Sequence, residues 1–358
     1  MTVDRPSAPS HRQQHAAVID ETKKHPKKLR ANQMADHALE TLDDLRISTV
    51  LGQGTFGCVR LGRDATATYA VKMSPLNDDD EGIPASTMRE YAICKRLYHP
   101  NVLQILREPM RFDTFVCLVF ERCDANLKAF MRERGGVHET GGVAYSDMQW
   151  LTVQLLRGVT HMHARGYLHR DIKPANLLVN RGYPLTLRIG DLGLARAFWN
   201  DCDEHAMTLC VCTLWYKPID LLLGRKTYGF DLDMWSVGCV VAEIATGTAL
   251  FRGNTSYETI LEILKHGGAI CPRAHPELVC LEDYSVDLPK FRRSRALFDP
   301  PLTTFDARDV QELVDALLSY APQRRPSARE CLRYPFCLLD ARPSDRGTSV
   351  GDKKRLRE

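Results

Sequence analysis

The chain has 358 residues, of which 44% are hydrophobic and 26% charged, a composition typical of a globular protein with one large or two ordinary domains. A formal net charge of only +3 gives no indication of a nucleic-acid-binding surface, and no apolar run is long enough for a membrane-spanning helix. The polar amino terminus lacks the hydrophobic stretch of a secretory signal. The 12 cysteines show no paired CxxC spacing, which favours reduced thiols. Together these features predict an intracellular protein of the nucleus or the cytoplasm.

The first segment, Met1–Leu45, is polar and is predicted to be a largely disordered extension. It contains the basic run Lys23–Lys28, which has two interpretations, a nuclear import signal or a solvated linker. Within the same segment, Ala38–Leu45 is predicted to form a short helix that docks on the core. The carboxyl-terminal residues 341–358 are rich in basic side chains and are also predicted to be a disordered tail.

Residues 46–61 alternate apolar and polar side chains around a glycine-rich turn, which predicts two strands joined by that turn. Glycines there let backbone N–H groups close over phosphates without Cβ clashes, although ordinary hairpins also carry glycines. The next predicted strand strengthens the interpretation, because Lys72 can reach the α- and β-phosphates while Val59 and Ala70 cover an adenine. The candidate nucleotide contacts of the hairpin are Leu51, Gly52, Gln53, Gly54, Thr55, Phe56, Gly57, Cys58 and Val59.

A helix is predicted to begin near Pro84, with Met88, Ile93 and Leu97 on one apolar face. Glu90 of this helix follows Lys72 by 18 residues, and its alternative interpretation is a solvated side chain on a surface helix.

Further along, the apolar run Phe115–Glu121 predicts a buried strand, and Leu127–Met131 begins a helix. Residues 135–142 are predicted to be a loop. Met148–Arg165 carries apolar residues at helical spacing and leads directly into the segment that bears the chemistry.

That segment, His169–Leu178, contains one carboxylate, one ammonium and one carboxamide in Asp171, Lys173 and Asn176, and Asp191 follows as a second carboxylate. Phosphoryl transfer needs this set. A carboxylate orients the acceptor hydroxyl, an ammonium faces the charge on the transferred group, and two oxygen ligands hold Mg²⁺ on the triphosphate. The alternative, a polar loop beside a buried strand, accounts for a lone HRD triplet but not for the whole pattern.

These segments resemble the catalytic loop and the metal-binding turn of eukaryotic protein kinases. Residues 84–90, with the sequence PASTMRE, are similar to the PSTAIRE helix of the cyclin-dependent kinases. The likeness to a divergent member of that family, related to cdc2, continues through residue 338 and implies an α+β, two-lobed fold. The implied parts are a kinase domain at 46–340, with a small β-rich lobe at 46–120, a hinge at 121–127 and a larger helical lobe at 128–340.

The resemblance implies transfer of the ATP γ-phosphoryl group, with Mg²⁺, to serine or threonine of proteins. The implied catalytic residues are Lys72, Glu90, Asp171, Lys173 and Thr213, with Asn176 and Asp191 as metal ligands and Lys72 paired with Glu90. The implied contacts with the nucleotide around the hinge and below it are Ala70, Phe120, Glu121, Cys123 and Leu178.

Three residues depart from the family pattern. Leu192 replaces the Phe of DFG and, being apolar, is expected to fill the same position. Phe56 replaces a Tyr that cell-cycle kinases phosphorylate to inactivate themselves, which leaves Thr55 as the remaining hydroxyl there. Asp220 replaces the Glu of Ala-Pro-Glu, whose partner corresponds to Arg325. Because Asp is one methylene shorter, either the backbone closes the gap or the activation segment is looser.

Regulation is also implied by the resemblance. A cyclin-type activating subunit is expected beside Pro84–Glu90, and substrates are expected to carry Pro after the phosphorylated residue. Thr208, five residues before Thr213, is predicted to be the activating phosphorylation site, with its phosphate bound by Arg89, Arg170 and Arg196. The alternative is that Asp201, Asp203 or Glu204 enters this arginine cluster as a built-in substitute.

This function has three rivals, the last of which lacks its required motif. A pseudokinase scaffold would keep the fold without the chemistry, and Pro218-Ile219-Asp220 is its best argument. A cyclin-independent kinase of the same group would hold its helix by packing alone. A MAP-type kinase would need a Thr-x-Tyr pair, and residues 198–212 contain no Tyr.

Overall fold

The computed structural model describes residues 40–54, 57–76, 82–134, 143–198, 212–293 and 306–338, and all structural statements concern these ranges. Its amino-terminal part is a six-stranded antiparallel sheet with the strand order β1-β2-β3-β4-β6-β5. These strands are β1 (Glu40–Leu42), β2 (Leu45–Gly54), β3 (Gly57–Arg63), β4 (Thr68–Pro75), β5 (Met110–Phe112) and β6 (Phe115–Glu121). The predicted glycine-hairpin strands and the buried strand at Phe115–Glu121 are therefore confirmed.

The helix predicted at Ala38–Leu45 is wrong for its described residues. β1 pairs with β2 around a tight turn, with Leu42 opposite Leu45, and Asp43 has a left-handed φ of 54°. Leu42 and Leu45 are 4% and 0% exposed because both face the apolar cluster on the outer side of the sheet. Burial of these leucines by pairing overrides the local preference for a helix.

The helix α1 (Ala85–Arg96) lies against the other face of the sheet and begins after Pro84, as predicted. Its buried face differs from the predicted one, because Met88 is 42% exposed while Thr87 and Glu90 are buried. Ile93 and Leu97 are buried as expected.

Helices dominate the rest of the chain. The longest is α3 (Tyr145–Ala164), and α5 (Asp231–Thr246) is the most deeply buried, enclosed on all sides by neighbouring elements. The other helices are α2 (Leu127–Glu133), α4 (Ile219–Leu222), α6 (Ser256–Gly267), α7 (Pro276–Val279), α8 (Asp306–Leu317) and α9 (Ala328–Cys331). A β-sheet region followed by a helical region confirms the α+β class.

Two small sheets lie between these parts and carry the loops of interest. One has the order β10-β9-β7, formed by β7 (Ala125–Asn126), β9 (Leu177–Asn180) and β10 (Thr186–Ile189). The other pairs β8 (Tyr167–Leu168) with β11 (Arg196–Ala197). The catalytic-loop candidate therefore runs from β8 to β9, and the Asp191 turn runs from β10 to β11.

The described cysteines form no disulfide, and Cys271 and Cys280 are exposed. Within the described ranges, no helix combines the length and the apolar character needed to cross a membrane.

Candidate active site

The catalytic-loop candidate is anchored by a buried carboxylate that the sequence analysis did not single out. Asp233 of α5 accepts hydrogen bonds from the backbone N–H groups of His169 and Arg170, both at 2.9 Å, and is 1% exposed. Arg170 has a left-handed φ of 68°, and these two bonds hold the loop in that conformation. Burial alone would raise the pKa of Asp233, but the hydrogen bond from His163 and the loop N–H group lower it below its ordinary value. Residues 233–239 resemble the helix that anchors the larger lobe of kinases, but that resemblance alone assigned no role to Asp233.

Asp171 is the centre of the site and is saturated with donors. Its Oδ2 lies 2.8 Å from Lys173 Nζ and accepts from Asn176 Nδ2 at 3.0 Å. Its Oδ1 accepts from the hydroxyl and the backbone N–H of Thr213, at 2.8 and 3.1 Å. Lys173 also donates to the Thr213 hydroxyl at 2.7 Å. The carboxylate is thus fixed in orientation, with Thr213 joining it to the ammonium.

A second cluster lies across the cleft. Lys72 Nζ of β4 is 2.7 Å from Glu90 Oε2 of α1 and 2.9 Å from Asp191 Oδ1. Burial opposes the charge on Lys72, but Glu90 and Asp191 together outweigh it and raise the pKa of this lysine. Burial likewise opposes the charge on Asp191, yet Lys72 holds the pKa of Asp191 below its ordinary value. Burial is the largest influence on Glu90 and raises the pKa of this carboxyl despite the opposing effect of Lys72. The solvated alternative for Glu90 is wrong, because this side chain is buried.

The oxygen atoms of Asn176 and Asp191 suit a hard divalent cation. Asn176 Nδ2 donates both to the Asp171 backbone carbonyl at 2.8 Å and to its carboxylate, which leaves the amide oxygen for a ligand. Asp191 contacts Lys72 through Oδ1 only, so Oδ2 remains. No group of three or more His, Cys, Asp or Glu side chains within the described ranges is arranged to hold a metal. Two protein oxygens completed by phosphate and water match the way Mg²⁺ binds nucleotides.

The roof of the cleft comes from one face of the sheet. Val59 lies opposite Lys72 and Phe120 lies opposite Ala70, so these four side chains share the face toward the cleft. Cys58 lies opposite Met73 on the other face, where its side chain packs on the outer apolar cluster. Only the backbone of Cys58 can therefore contact a nucleotide.

The glycine-rich turn is described on both of its flanks. Leu51, Gly52, Gln53 and Gly54 end β2, and Gly57 begins β3, whereas Thr55 and Phe56 lie outside the described residues. At Gly57, φ is 141° and an added Cβ would lie 2.0 Å from the Met73 carbonyl oxygen, so only glycine fits.

The predicted hinge residues line the back and the edge of the cleft. Phe120 is 3% exposed, and Glu121 is fixed by an ion pair from Arg188 Nε to Oε1 at 2.7 Å. Cys123 is half-buried beside this pair, and burial, followed by the charge of Glu121, raises its thiol pKa to about 11. Leu178 of β9 is half-buried below and packs on the main core.

The gap expected at Asp220 is closed by a buried network. Arg325 Nη2 lies 2.5 Å from Asp220 Oδ1, and these side chains are 0% and 1% exposed. Arg225 adds a second cation, with Nη1 at 2.9 Å from Asp220 Oδ2 and 2.7 Å from Asp231 Oδ2. The family's ion pair is thus preserved, and the degenerate motif no longer supports a scaffold without activity. Sequence reasoning missed Arg225 and Asp231, whose only signal is their nearness along the chain to Asp220.

The three predicted phosphate ligands surround the turn after Asp191. Arg89 donates to the Gly193 carbonyl at 3.4 Å, Arg170 donates to the Leu194 carbonyl at 2.7 Å, and Arg196 follows directly in β11. Thr208 lies outside the described residues, as do Asp201, Asp203 and Glu204. Leu192 in the same turn is 1% exposed and belongs to the main core, which confirms that Leu fills the Phe position.

Comparison with known proteins agrees with this geometry. The protein kinase domain family matches residues 45–337. The chain is also similar to Cell division control protein 2 homolog 3 of Trypanosoma brucei brucei, with 35% identity over 312 residues, which cover 86% of this chain and 96% of that protein. The chain therefore belongs to the protein kinase family, as a divergent, cdc2-like serine/threonine kinase that uses ATP.

Proposed function

We propose that Asp171 orients the acceptor hydroxyl in line with the γ-phosphoryl group and that Lys173 faces the charge that develops on it. The observation that carries this proposal is the hydrogen-bonded set in which Asp171, Lys173 and Thr213 fix one another. A carboxylate that already accepts from four donors needs little reorganisation when substrate arrives, and such preorganisation is a large part of catalysis of phosphoryl transfer. The Thr213 hydroxyl acts as the positioning group that holds the Asp171 carboxylate and the Lys173 ammonium in fixed positions relative to each other.

Lys72, held by Glu90, is proposed to bind the α- and β-phosphates. Asn176 and Asp191 are proposed to hold Mg²⁺, which would neutralise charge on the β- and γ-phosphates when bound. A Mg²⁺-dependent shift of the melting temperature by ATP, followed by a phosphotransfer assay on a basic protein, tests this arrangement. Asn176→Ala and Asp191→Asn should remove the Mg²⁺ dependence of the shift, and its survival in both variants would contradict the assignment.

The substrates are proposed to carry Pro directly after the phosphorylated residue. The supporting observation is the left-handed backbone of Cys212, φ 72°, immediately before Thr213. We infer that this conformation turns the Cys212 carbonyl away from the position that would accept a substrate N–H group. A Pro at this position has no backbone N–H group, so no hydrogen-bond donor is left unpaired when it binds. Any other residue leaves its N–H group unpaired, which costs about 1–3 kcal/mol of binding free energy.

A peptide library that compares Ser-Pro with Ser-Ala measures this preference, which should be about tenfold to hundredfold in kcat/KM. Cys212→Gly keeps the left-handed conformation accessible and should retain the preference. Cys212→Val disfavours that conformation, because β-branched residues rarely adopt positive φ, and should weaken the preference. A wild-type enzyme indifferent to Pro would rule out the proposal.

The activating partner is proposed to be a cyclin-type subunit that docks beside α1. The family membership suggests such a partner, and two apolar side chains are exposed here, Ile83 at 39% and Met88 at 42%. Phosphotransfer by the pure chain, with and without a co-purified or added cyclin, tests this. Met88→Glu should abolish the stimulation while leaving the basal rate unchanged, and full activity of the pure monomer would contradict the requirement.

Thr208 is proposed to be the activating phosphorylation site. Arg89, Arg170 and Arg196 come from three separate elements around one turn, and a phosphate with three acceptor oxygens can join them. Such a phosphate would fix α1, the catalytic loop and the activation segment in one geometry.

A further inference from the structure

A positively charged surface lies where the loop after α1 packs against the carboxyl-terminal half of α3. The rings of His99 and His161 meet across this contact, with centroids 4.6 Å apart. Arg157 and Arg165 lie about one turn before and one turn after His161, so the three side chains share one face of α3. Both arginines are exposed, and both histidines are half-buried. We call these four residues the basic junction.

Both arginines have only uncharged partners among the described residues. Arg165 donates from Nη1 to Nδ1 of His161 at 3.0 Å. The guanidinium group of Arg157 lies over the ring of Trp150, 5.9 Å from its centroid. Within the part of the chain that the structure describes, no carboxylate therefore pairs with either of these two positive charges, and both remain available to a binding partner.

The two histidines respond to the same excess of cations. Burial lowers the pKa of His99, and Arg165 and Arg157 lower it further. Burial also lowers the pKa of His161 to about 4, with Arg165 and His99 adding to the effect. Among the described residues, no carboxylate opposes the shift at either ring. At pH 7 both rings are therefore neutral, and the arginines give the basic junction two positive charges without a compensating negative charge.

The spacing of the two arginines selects the shape of a partner. They are eight residues apart in the sequence, which corresponds to about 12 Å along the axis of α3. Both side chains extend toward the amino end of this helix, Arg157 to Trp150 and Arg165 to His161, so the guanidinium groups keep about this separation. An extended peptide advances about 3.3 Å per residue, so two acidic side chains four residues apart lie on the same side of it and match this separation.

We propose that the basic junction binds an acidic, extended segment of a partner protein. Two Asp or Glu side chains of that segment, four residues apart, pair with Arg157 and Arg165. Complementary charge of this kind orients protein association and increases its rate. Tyr98, which directly precedes His99 and is 84% exposed, adds aromatic surface beside the charges. A nucleic acid fits less well, because two cations neutralise few of its phosphates.

The probe is a nine-residue peptide of Gly and Ser with a pair of Glu residues near each end, four residues apart. Its binding to the full chain is titrated by saturation-transfer NMR at about 50 mM salt, where exposed charges are screened less than at physiological salt. Arg157→Gln and Arg165→Gln each remove one cation, and both should keep the wild-type melting temperature because these side chains are exposed. Lys226→Gln is the control, since it removes one positive charge elsewhere, at an exposed pair with Glu282.

We expect a dissociation constant of about 1 mM or below, weaker by about threefold to fivefold in each arginine variant and unchanged in Lys226→Gln. A peptide whose four Glu residues are consecutive should bind about threefold more weakly, because it cannot reach both arginines. In a charge exchange, Arg165→Glu should bind a peptide with Lys in place of Glu about threefold more tightly than the wild-type chain does.

Absence of binding would overturn the proposal. Equal affinity of the arginine variants and the wild type would place the peptide at other cations, and an equal loss in Lys226→Gln would mean attraction by net charge alone; either result would also overturn it. Tighter binding of a single-stranded oligothymidine that weakens in the same arginine variants would identify a nucleic-acid surface instead. The readout is binding, and the basic junction contains none of the assigned catalytic residues, so the outcome is independent of the proposed function.

Discussion

Loss of the positive charge of Arg225 should destabilise the protein substantially, because this side chain joins two carboxylates beneath the activation segment. Its Nη1 lies 2.9 Å from Asp220 and 2.7 Å from Asp231, and it is only 24% exposed. In Arg225→Met the apolar stem remains but Arg325 alone must balance Asp220 and Asp231. Asp220 is 1% exposed and cannot be rescued by water.

The magnitude follows from the burial of the partners. Removal of one member of a fully buried ion pair costs about 3–5 kcal/mol, and the partial exposure of Arg225 lowers this to about 2–3 kcal/mol in the free energy of unfolding. For a kinase domain that spans residues 45–337, that loss corresponds to a decrease of about 3–5 °C in the melting temperature. Phosphotransfer should fall too, since Asp220 lies in the segment that follows Thr213.

A double-mutant cycle isolates the interaction. Asp231→Asn leaves two cations around Asp220, whereas Arg225→Met with Asp231→Asn restores a balanced pair of Asp220 and Arg325. The double variant should therefore lose at least about 1 kcal/mol less than the sum of the single variants in urea unfolding.

The control for this cycle is Lys226→Met, which makes the same change at the neighbouring residue. Lys226 pairs with Glu282 at 3.0 Å, but both side chains are more than 70% exposed, so the effect should stay within about 0.5 kcal/mol. Equal stability of Arg225→Met and Lys226→Met, or strict additivity in the cycle, would refute the compensating role of Arg225.

Three further predictions concern catalysis and reactivity. Asp171→Asn should still fold but lose about 10²–10⁴-fold in kcat, and a wild-type rate would contradict the proposed mechanism. Thr208→Ala should remove most of the activity of the phosphorylated enzyme, while joint neutralisation of Asp201, Asp203 and Glu204 should have little effect; the reverse pattern would favour the built-in acidic substitute. Burial raises the thiol pKa of Cys123 from 9.0 to about 11, so its thiolate fraction at pH 7.5 should be about 100-fold below that of an ordinary cysteine. Mass spectrometry should therefore find Cys123 alkylated far more slowly than the exposed Cys271. Equal alkylation rates would contradict the burial of Cys123.

The sequence predicted the strands, the principal helices and the residues that gather around Asp171, because those depend on short motifs with fixed spacing. The errors arose where burial depends on distant partners. In α1 the buried positions include Thr87 and Glu90, and the carboxylate is buried because Lys72 reaches it from β4. A helical pattern that counts only apolar residues cannot detect this, so it placed Met88 on the wrong face.

Distant partners that the sequence pattern does not show also decide the structure around Asp220 and at residues 40–45. The sequence showed that the carboxylate is one methylene too short but left open how the structure responds, because Arg225 becomes relevant only once α4 and α5 are placed. At residues 40–45 the deciding factor was again tertiary, since pairing of β1 with β2 buries two leucines that a local helix would have docked differently.

The geometry of α1 sharpens what an activating partner must do. The Lys72–Glu90 pair is already formed in the single chain, and Arg89 of the same helix reaches the Gly193 carbonyl. Among the described residues, these two contacts therefore form without a partner, and we expect a partner to increase the fraction of molecules that adopt this arrangement. That increase is limited by how much more tightly the partner binds this arrangement than any other.

If α1 is held by packing alone, Lys72→Met and Glu90→Gln should reduce phosphotransfer equally with and without a cyclin. If the partner shifts the population, added cyclin should rescue Glu90→Gln in part but not Lys72→Met, because only the lysine contacts the phosphates. Equal responses of the two variants to the cyclin, measured as the ratio of rates with and without it, would exclude the population shift.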